Sequence, residues 1–170
     1  MADQATLVLI KPDAIRRGLA GTVLSRLEFL GLEIIGAKVV RVNRVLAQAH
    51  YHNIRERPFF EETVDYLRGK RHGTHFVLAF VFWGDGAIER VRHLAGSTNP
   101  EHAEPTSIRG ALGRLTGEGL MENVIHASSG AEEAQREIRL WFTPNELLKP
   151  SRPRLPSNSR SQRHPQRTKQ

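Results

Sequence analysis

A chain of 170 residues with 39% hydrophobic side chains and no cysteine suits one domain with a polar appendage, and it excludes disulfides and thiolate metal sites. No run approaches the roughly 18 apolar residues of a membrane span. Met1 to Thr6 runs straight into a strand pattern with no secretory or transit segment, so the expected compartment is the cytoplasm. The net charge of +7 is local: residues 149–170 carry Lys149, Arg152, Arg154, Arg160, Arg163, Arg167 and Lys169, and none of the acidic residues. The body, 1–148, is therefore balanced. The basic Pro/Ser/Arg-rich tail, 149–170, buries too little apolar surface to order itself, and is expected to be disordered.

Leu7 to Ile10 is a continuous apolar run ended by Lys11-Pro12, which reads as a buried strand presenting Lys11 at its end. Gly18 and Gly21 flank a turn. Val23, Leu24, Leu27 and Leu30 mark an amphipathic helix closed by Gly31. A second strand spans Ile34 to Val42, with Gly36 at a candidate bulge. Asn43 suits the cap of a helix running to about His52. Pro58 fits the first turn of the next helix, where Phe59, Val64 and Leu67 are apolar and Phe60 is the better core candidate.

Phe76 to Trp83 reads as the central strand, broken by Gly84 and Gly86. Ile88, Val91 and Leu94 line a helix, and Arg92 falls off their stripe. Residues 96–123 are loop-like, with one short turn near Ile108; a long irregular segment inside a domain is usually functional. Asn123, Val124 and Ile125 read as the end of a strand or an extended approach to His126. Ser129 and Glu132 then have the spacing of a capping box. Ala131, Ala134, Ile138 and Trp141 recur at helical spacing behind it. This puts His126 just before a helix N-terminus, where free N–H groups and the helix dipole favour phosphate.

A neutral imidazole beside an anion site can attack a phosphoryl group, although a lone His at a strand–helix junction is also a common structural residue. Phosphoryl transfer asks a protein mainly for positioning and for charge neutralisation. Lys11 at a strand end, Arg92 on a helix and Arg109 in the loop are cations placed for that task. Taken singly, each also reads as an ordinary surface charge.

Asn123-Val-Ile-His-Ala-Ser128 resembles the phosphohistidine motif of nucleoside diphosphate kinases. Ile10-Lys-Pro-Asp13, Arg57-Pro-Phe-Phe60, Thr98-Asn-Pro100 and Ser107-Ile-Arg-Gly110 resemble further motifs of that family in the same order, from about Thr6 to Leu148. The resemblance implies an α+β fold with a ferredoxin-like βαββαβ core, an antiparallel four-stranded sheet with helices on one face. It implies ping-pong transfer of the γ-phosphate of ATP to nucleoside diphosphates through His126. Lys11, Arg92 and Arg109 would bind phosphates, Phe59 would stack on the base, and Thr98 would hydrogen-bond phosphate. Asn123 would contact the ribose and the surroundings of His126, and Tyr51 would lie near that histidine. Glu137 would orient the imidazole, with Ser128 hydrogen-bonded to Glu137. Mg²⁺ would arrive on the nucleotide, with no protein ligand, and the chain would form hexamers or tetramers.

Three features depart from the family. Ser129 stands where an Asp is common, which bears on magnesium affinity. The segments 69–74 and 113–122 are longer than usual. A different reading keeps the scaffold as a nucleotide- or nucleic-acid-binding regulatory module, with the tail making weak contacts to nucleic acid.

Overall fold

In a computed structural model the protein is described over residues 2–150; the tail from residue 151, and with it the expectation of disorder there, lies outside the described residues. Strand β1 (Asp3–Ile10) buries Leu7, Val8, Leu9 and Ile10 completely. Successive strand side chains point to opposite faces, so four consecutive buried residues require cover on both faces. Leu7 and Leu9 pack with Val64, Leu67, Val77 and Trp141, whereas Val8 and Ile10 pack with Val23, Leu27, Phe82 and Val91. Helices α2 (Ala20–Glu28) and α5 (Ala87–Ala95) cover the second face; α3 (Arg44–His50), α4 (Phe60–Leu67) and α7 (Ala131–Trp141) cover the first. Helices on one face only, as expected from the sequence, is thus corrected.

The sheet is antiparallel throughout, in the order β2-β3-β1-β6, with β2 at Glu33–Arg41, β3 at Phe76–Asp85 and β6 at Ile125–Ala127. The two halves β1–α2–β2 and β3–α5–β6 interleave their strands, which is the ferredoxin-like arrangement. β1 and β3 are central and the most apolar. Gly36 follows a register shift against β3, as the bulge expectation required. Asn43 caps α3 by accepting from the Leu46 N–H at 2.8 Å.

Other local expectations change. α4 starts at Phe60, so Pro58 precedes the helix; Phe60 is buried and Phe59 is 49% exposed. The Ser129–Glu132 capping box does not form, because Gly130 takes the N-cap position in extended backbone. A capping box occurs instead at Thr143 and Glu146. His126 lies within β6, opposite Leu9 on β1, and residues 127–130 separate it from α7. The segment 96–123 holds a 3-10 turn at Pro100–His102, helix α6 (Ile108–Leu112) and a small hairpin of β4 (Arg114–Leu115) with β5 (Met121–Glu122). The segments 69–74 and 113–122 meet through His72 Nε2 and Glu122, 3.0 Å apart.

Candidate active site

The ends of β1, β6, α3 and α7 converge on a cavity of about 800 Å³. Lys11 follows β1 and takes the N-cap position of the short helix α1 (Pro12–Arg16), which stops the strand from continuing. Its side chain is buried, and Nζ donates to Asn123 Oδ1 at 2.7 Å while lying over the Tyr66 ring, 5.1 Å from its centre. Burial first, and then the Arg109 charge, lower the Lys11 ammonium to about 7, with Asp13 pulling the other way. An ammonium stripped of water beside another cation is poised to gain an anion.

His126 is fixed by the pairing of β6 with β1. Its Nε2 lies 2.9 Å from the Glu137 carboxylate, and Ser128 Oγ donates to the same carboxylate at 2.6 Å. Glu137 faces inward from α7 and is buried. Burial, then the charges of Lys11 and Arg109, hold the His126 imidazole well below its usual value, so the ring is neutral. Burial raises the Glu137 carboxyl, an effect opposed by the nearby His50 and by the Ser128 hydrogen bond. With Nε2–H donating to a carboxylate, the ring lone pair resides on Nδ1.

Arg109 is presented by α6. NH1 donates to the Gly96 carbonyl at 2.7 Å and NH2 to the Ile125 carbonyl at 3.0 Å, while buried Nε has no partner. Burial lowers this guanidinium to about 10, and the neighbouring Arg92 adds to the lowering. Arg92 is exposed on α5 and lines the cavity. Thr98 is exposed at the mouth, and its carbonyl accepts from Asn123 Nδ2 at 3.1 Å. Asn123 is therefore committed on both sides of its amide, which makes it a spacer between Lys11 and the Thr98 loop. Phe59 forms the outer wall, and the buried Tyr51 hydroxyl has no partner.

Lys11, Tyr51, Phe59, Arg92, Thr98, Arg109, Asn123, His126 and Glu137 all line the one cavity; Ser128 stands behind Glu137. Three participants had no assigned role in the sequence reading. His50, at the end of α3, packs edge-to-face on His126 with ring centres 4.3 Å apart and accepts from Trp141 Nε1 at 3.2 Å. Asp13 and Tyr66 lie beneath Lys11 and Asn123. The only available signals were the helical phase of His50 and Tyr66 and the place of Asp13 in the Lys-Pro-Asp motif.

Among the described residues, the one histidine–carboxylate cluster with metal-like spacing is His50, His126 and Glu137. Trp141 donates to His50 Nδ1, so His50 Nε2, buried without a hydrogen-bond partner, carries the ring proton; Glu137 accepts from His126 and Ser128, which leaves His126 Nδ1 as the cluster's one uncommitted nitrogen lone pair. Glu133, the neighbouring acid, is paired with Arg136. The donor set thus fits a divalent ion carried by nucleotide phosphates rather than one caged by the protein.

On this antiparallel α+β sandwich a neutral, oriented histidine shares one cavity with three basic side chains, Lys11, Arg92 and Arg109. The family description that matches residues 4–147 is nucleoside diphosphate kinase, and the chain belongs to that family. A Pyrococcus horikoshii nucleoside diphosphate kinase is 45% identical over 145 residues, covering 85% of this chain and 88% of the relative. One from Staphylococcus haemolyticus is 42% identical, with coverage of 89% and 95%. Among solved structures, a transition-state mimic of the Borrelia burgdorferi enzyme with bound vanadate and ADP superposes with a TM-score of 0.78 at 37% identity, covering 88% of this chain and 93% of that one. The Halobacterium salinarum enzyme in complex with CDP gives 0.77 at 37% identity, covering 89% and 95%. The chain is thus an enzyme of nucleotide phosphotransfer.

Proposed function

We propose that the chain passes the γ-phosphoryl group of ATP to other nucleoside diphosphates through phosphorylated His126. The observation that carries this reading is the Glu137 contact at His126 Nε2, which leaves the Nδ1 lone pair for the substrate in a cavity with Lys11, Arg92 and Arg109. In the first half-reaction Nδ1 forms a bond to the γ-phosphorus. The bond from that phosphorus to the β,γ-bridging oxygen breaks, and ADP leaves with the electron pair. The ring gains positive charge, which the Glu137 carboxylate offsets while Nε2 keeps its proton. The second nucleoside diphosphate reverses these steps.

Lys11 and Arg109 stabilise charge on the transferring group, and Arg92 binds phosphate nearer the mouth. Phe59 stacks on the base, which tolerates any base because each has a π-face. Tyr51 supplies a hydroxyl that burial keeps protonated. Mg²⁺, when bound to the nucleotide, neutralises phosphate charge. Ser129 lines the same cavity and offers its hydroxyl, a neutral group, toward the nucleotide and its water. The working form is a homo-oligomer, a hexamer or a tetramer, in the cytoplasm. The basic tail adds at most weak contact with nucleic acid. No helix among the described residues is long and apolar enough to cross a membrane.

The regulatory-module reading is disfavoured by the intact nucleophile and its phosphate-facing cations. The test is exchange: purified protein, ATP and a second nucleoside diphosphate should yield the corresponding triphosphate with ping-pong kinetics. A sequential pattern, or no product, refutes the reading.

A further inference from the structure

Val124 is the one described residue other than glycine with a positive φ, 70°. It is β-branched and fully buried, which makes that conformation costly. The Ile125 N–H donates back to the Asn123 carbonyl at 2.7 Å, closing a three-residue turn around Val124. The residues flanking this turn are not idle. Asn123 holds Lys11 Nζ, and the Ile125 carbonyl holds Arg109. His126 follows directly. A backbone that relaxed at Val124 would move all three groups that face the phosphates.

Two buried side chains are spent on this turn. Asp13 accepts from the Val124 N–H through Oδ2 at 3.1 Å and from the Tyr66 hydroxyl through Oδ1 at 2.7 Å. The Tyr66 oxygen in turn accepts from the Asn123 N–H at 3.2 Å. The Val124 carbonyl accepts from the Lys11 N–H at 2.9 Å. The Asn123 and Val124 N–H groups are thereby paired inside the protein, where leaving them unpaired would be unfavourable. Burial, followed by the Asp13 charge, pushes the Tyr66 phenol upward, so it stays a donor.

We propose that Asp13 and Tyr66 form a positioning clamp that holds Val124 in its left-handed turn and so sets Lys11, Arg109 and His126 in register with one another. Neither residue needs to touch substrate. The clamp gives the fully buried Asp13 carboxylate, in the first turn of α1, two hydrogen-bond donors where, among the described residues, no basic side chain lies within hydrogen-bond distance of it. It rests on the phosphotransfer reading for its consequence, but not for its geometry.

The proposal is tested by a double-mutant cycle in the full chain. Tyr66→Phe is made in the wild-type and in the Val124→Gly backgrounds, because glycine adopts positive φ freely. The expected loss in kcat/KM is at least ~10-fold in the first background and under ~3-fold in the second. ADP affinity, measured by calorimetry, should follow the same pattern. Equal losses in both backgrounds, or no loss in the first, overturn the clamp. Asp13→Asn put through the same cycle gives the answer should Tyr66→Phe fail to fold, as judged by circular dichroism. A wild-type protein without exchange activity would refute the phosphotransfer reading, and the ADP cycle would still decide the clamp.

Discussion

The two ends of the cavity are built differently. At the phosphoryl end a chain of hydrogen bonds ties the side chains together: Lys11 to Asn123, Asn123 to the Thr98 carbonyl, His126 to Glu137, and Glu137 to Ser128. At the nucleoside end Phe59 is half-exposed and Thr98 is exposed, and Gly119, Leu120 and Met121 come from a hairpin of two-residue strands. The first end fixes atoms before substrate arrives, which is what charge stabilisation in a transition state requires. The second offers a surface and an edge, which suits ligands that share a phosphate chain and differ in their base. Burial and hydrogen bonding are concentrated at the first end, which is the basis of the proposal that the chemistry is rigid and base selectivity loose.

The sharpest way to break this contrast is at the buried end. His126→Ala should abolish exchange, with a loss on the order of 10³-fold or more, while the fold survives. Wild-type-like turnover in the purified variant would contradict the assignment. Next in size, Lys11→Ala and Arg109→Ala should each lower kcat/KM at least ~10-fold for all nucleotides alike. Phe59→Ala should act on KM, with kcat nearly kept, since stacking binds substrate and transition state equally. Loss of one base's substrates alone in the Lys11 or Arg109 variants would show that the two ends have been confused.

The pH dependence sharpens the comparison further. The Lys11 ammonium is lowered to about 7 in the free protein, so it is largely neutral at pH 8. A bound polyanion favours the charged form and raises its pKa. Nucleotide binding at pH 8, where the phosphates are fully ionised, should therefore take up protons, and affinity should fall as pH rises through 7. Calorimetry in buffers of different ionisation enthalpy measures the uptake, and Lys11→Met should remove it. An uptake unchanged in that variant would show that another group titrates. The smallest effect belongs to the tail: a chain ending at Leu148 should keep its exchange activity and its oligomeric state. Loss of either would make the tail part of the working structure.

The sheet was legible because its strands carry unbroken apolar runs, Leu7 to Ile10 and Phe76 to Trp83. The same runs implied cover on both faces, a consequence of burying consecutive residues that the expected one-sided layer overlooked. The β4–β5 hairpin was hidden because two-residue strands have no period to read. The Ser129 cap failed by one position, since Gly130 intervenes and its extended backbone starts α7. The site residues were legible as motifs in order along the chain, but the wiring between them was not. The bond from Tyr66 to Asp13 joins residues 53 apart, and that from Val124 to Asp13 joins residues 111 apart. Contacts at such separation are created by tertiary packing and leave no local pattern.

The central claim is that Glu137 holds His126 by Nε2, so that Nδ1 is the atom that receives the phosphoryl group. The direct measurement is to incubate the protein with ATP labelled in its γ-phosphate, remove the nucleotide, and identify the phosphorylated atom by phosphorus NMR and by acid and alkali stability. The expected result is an acid-labile, alkali-stable phosphate on Nδ1 of His126, discharged by any added nucleoside diphosphate. A phosphate on Nε2, an acid-stable serine phosphate, or a label that nucleoside diphosphates do not discharge would contradict it.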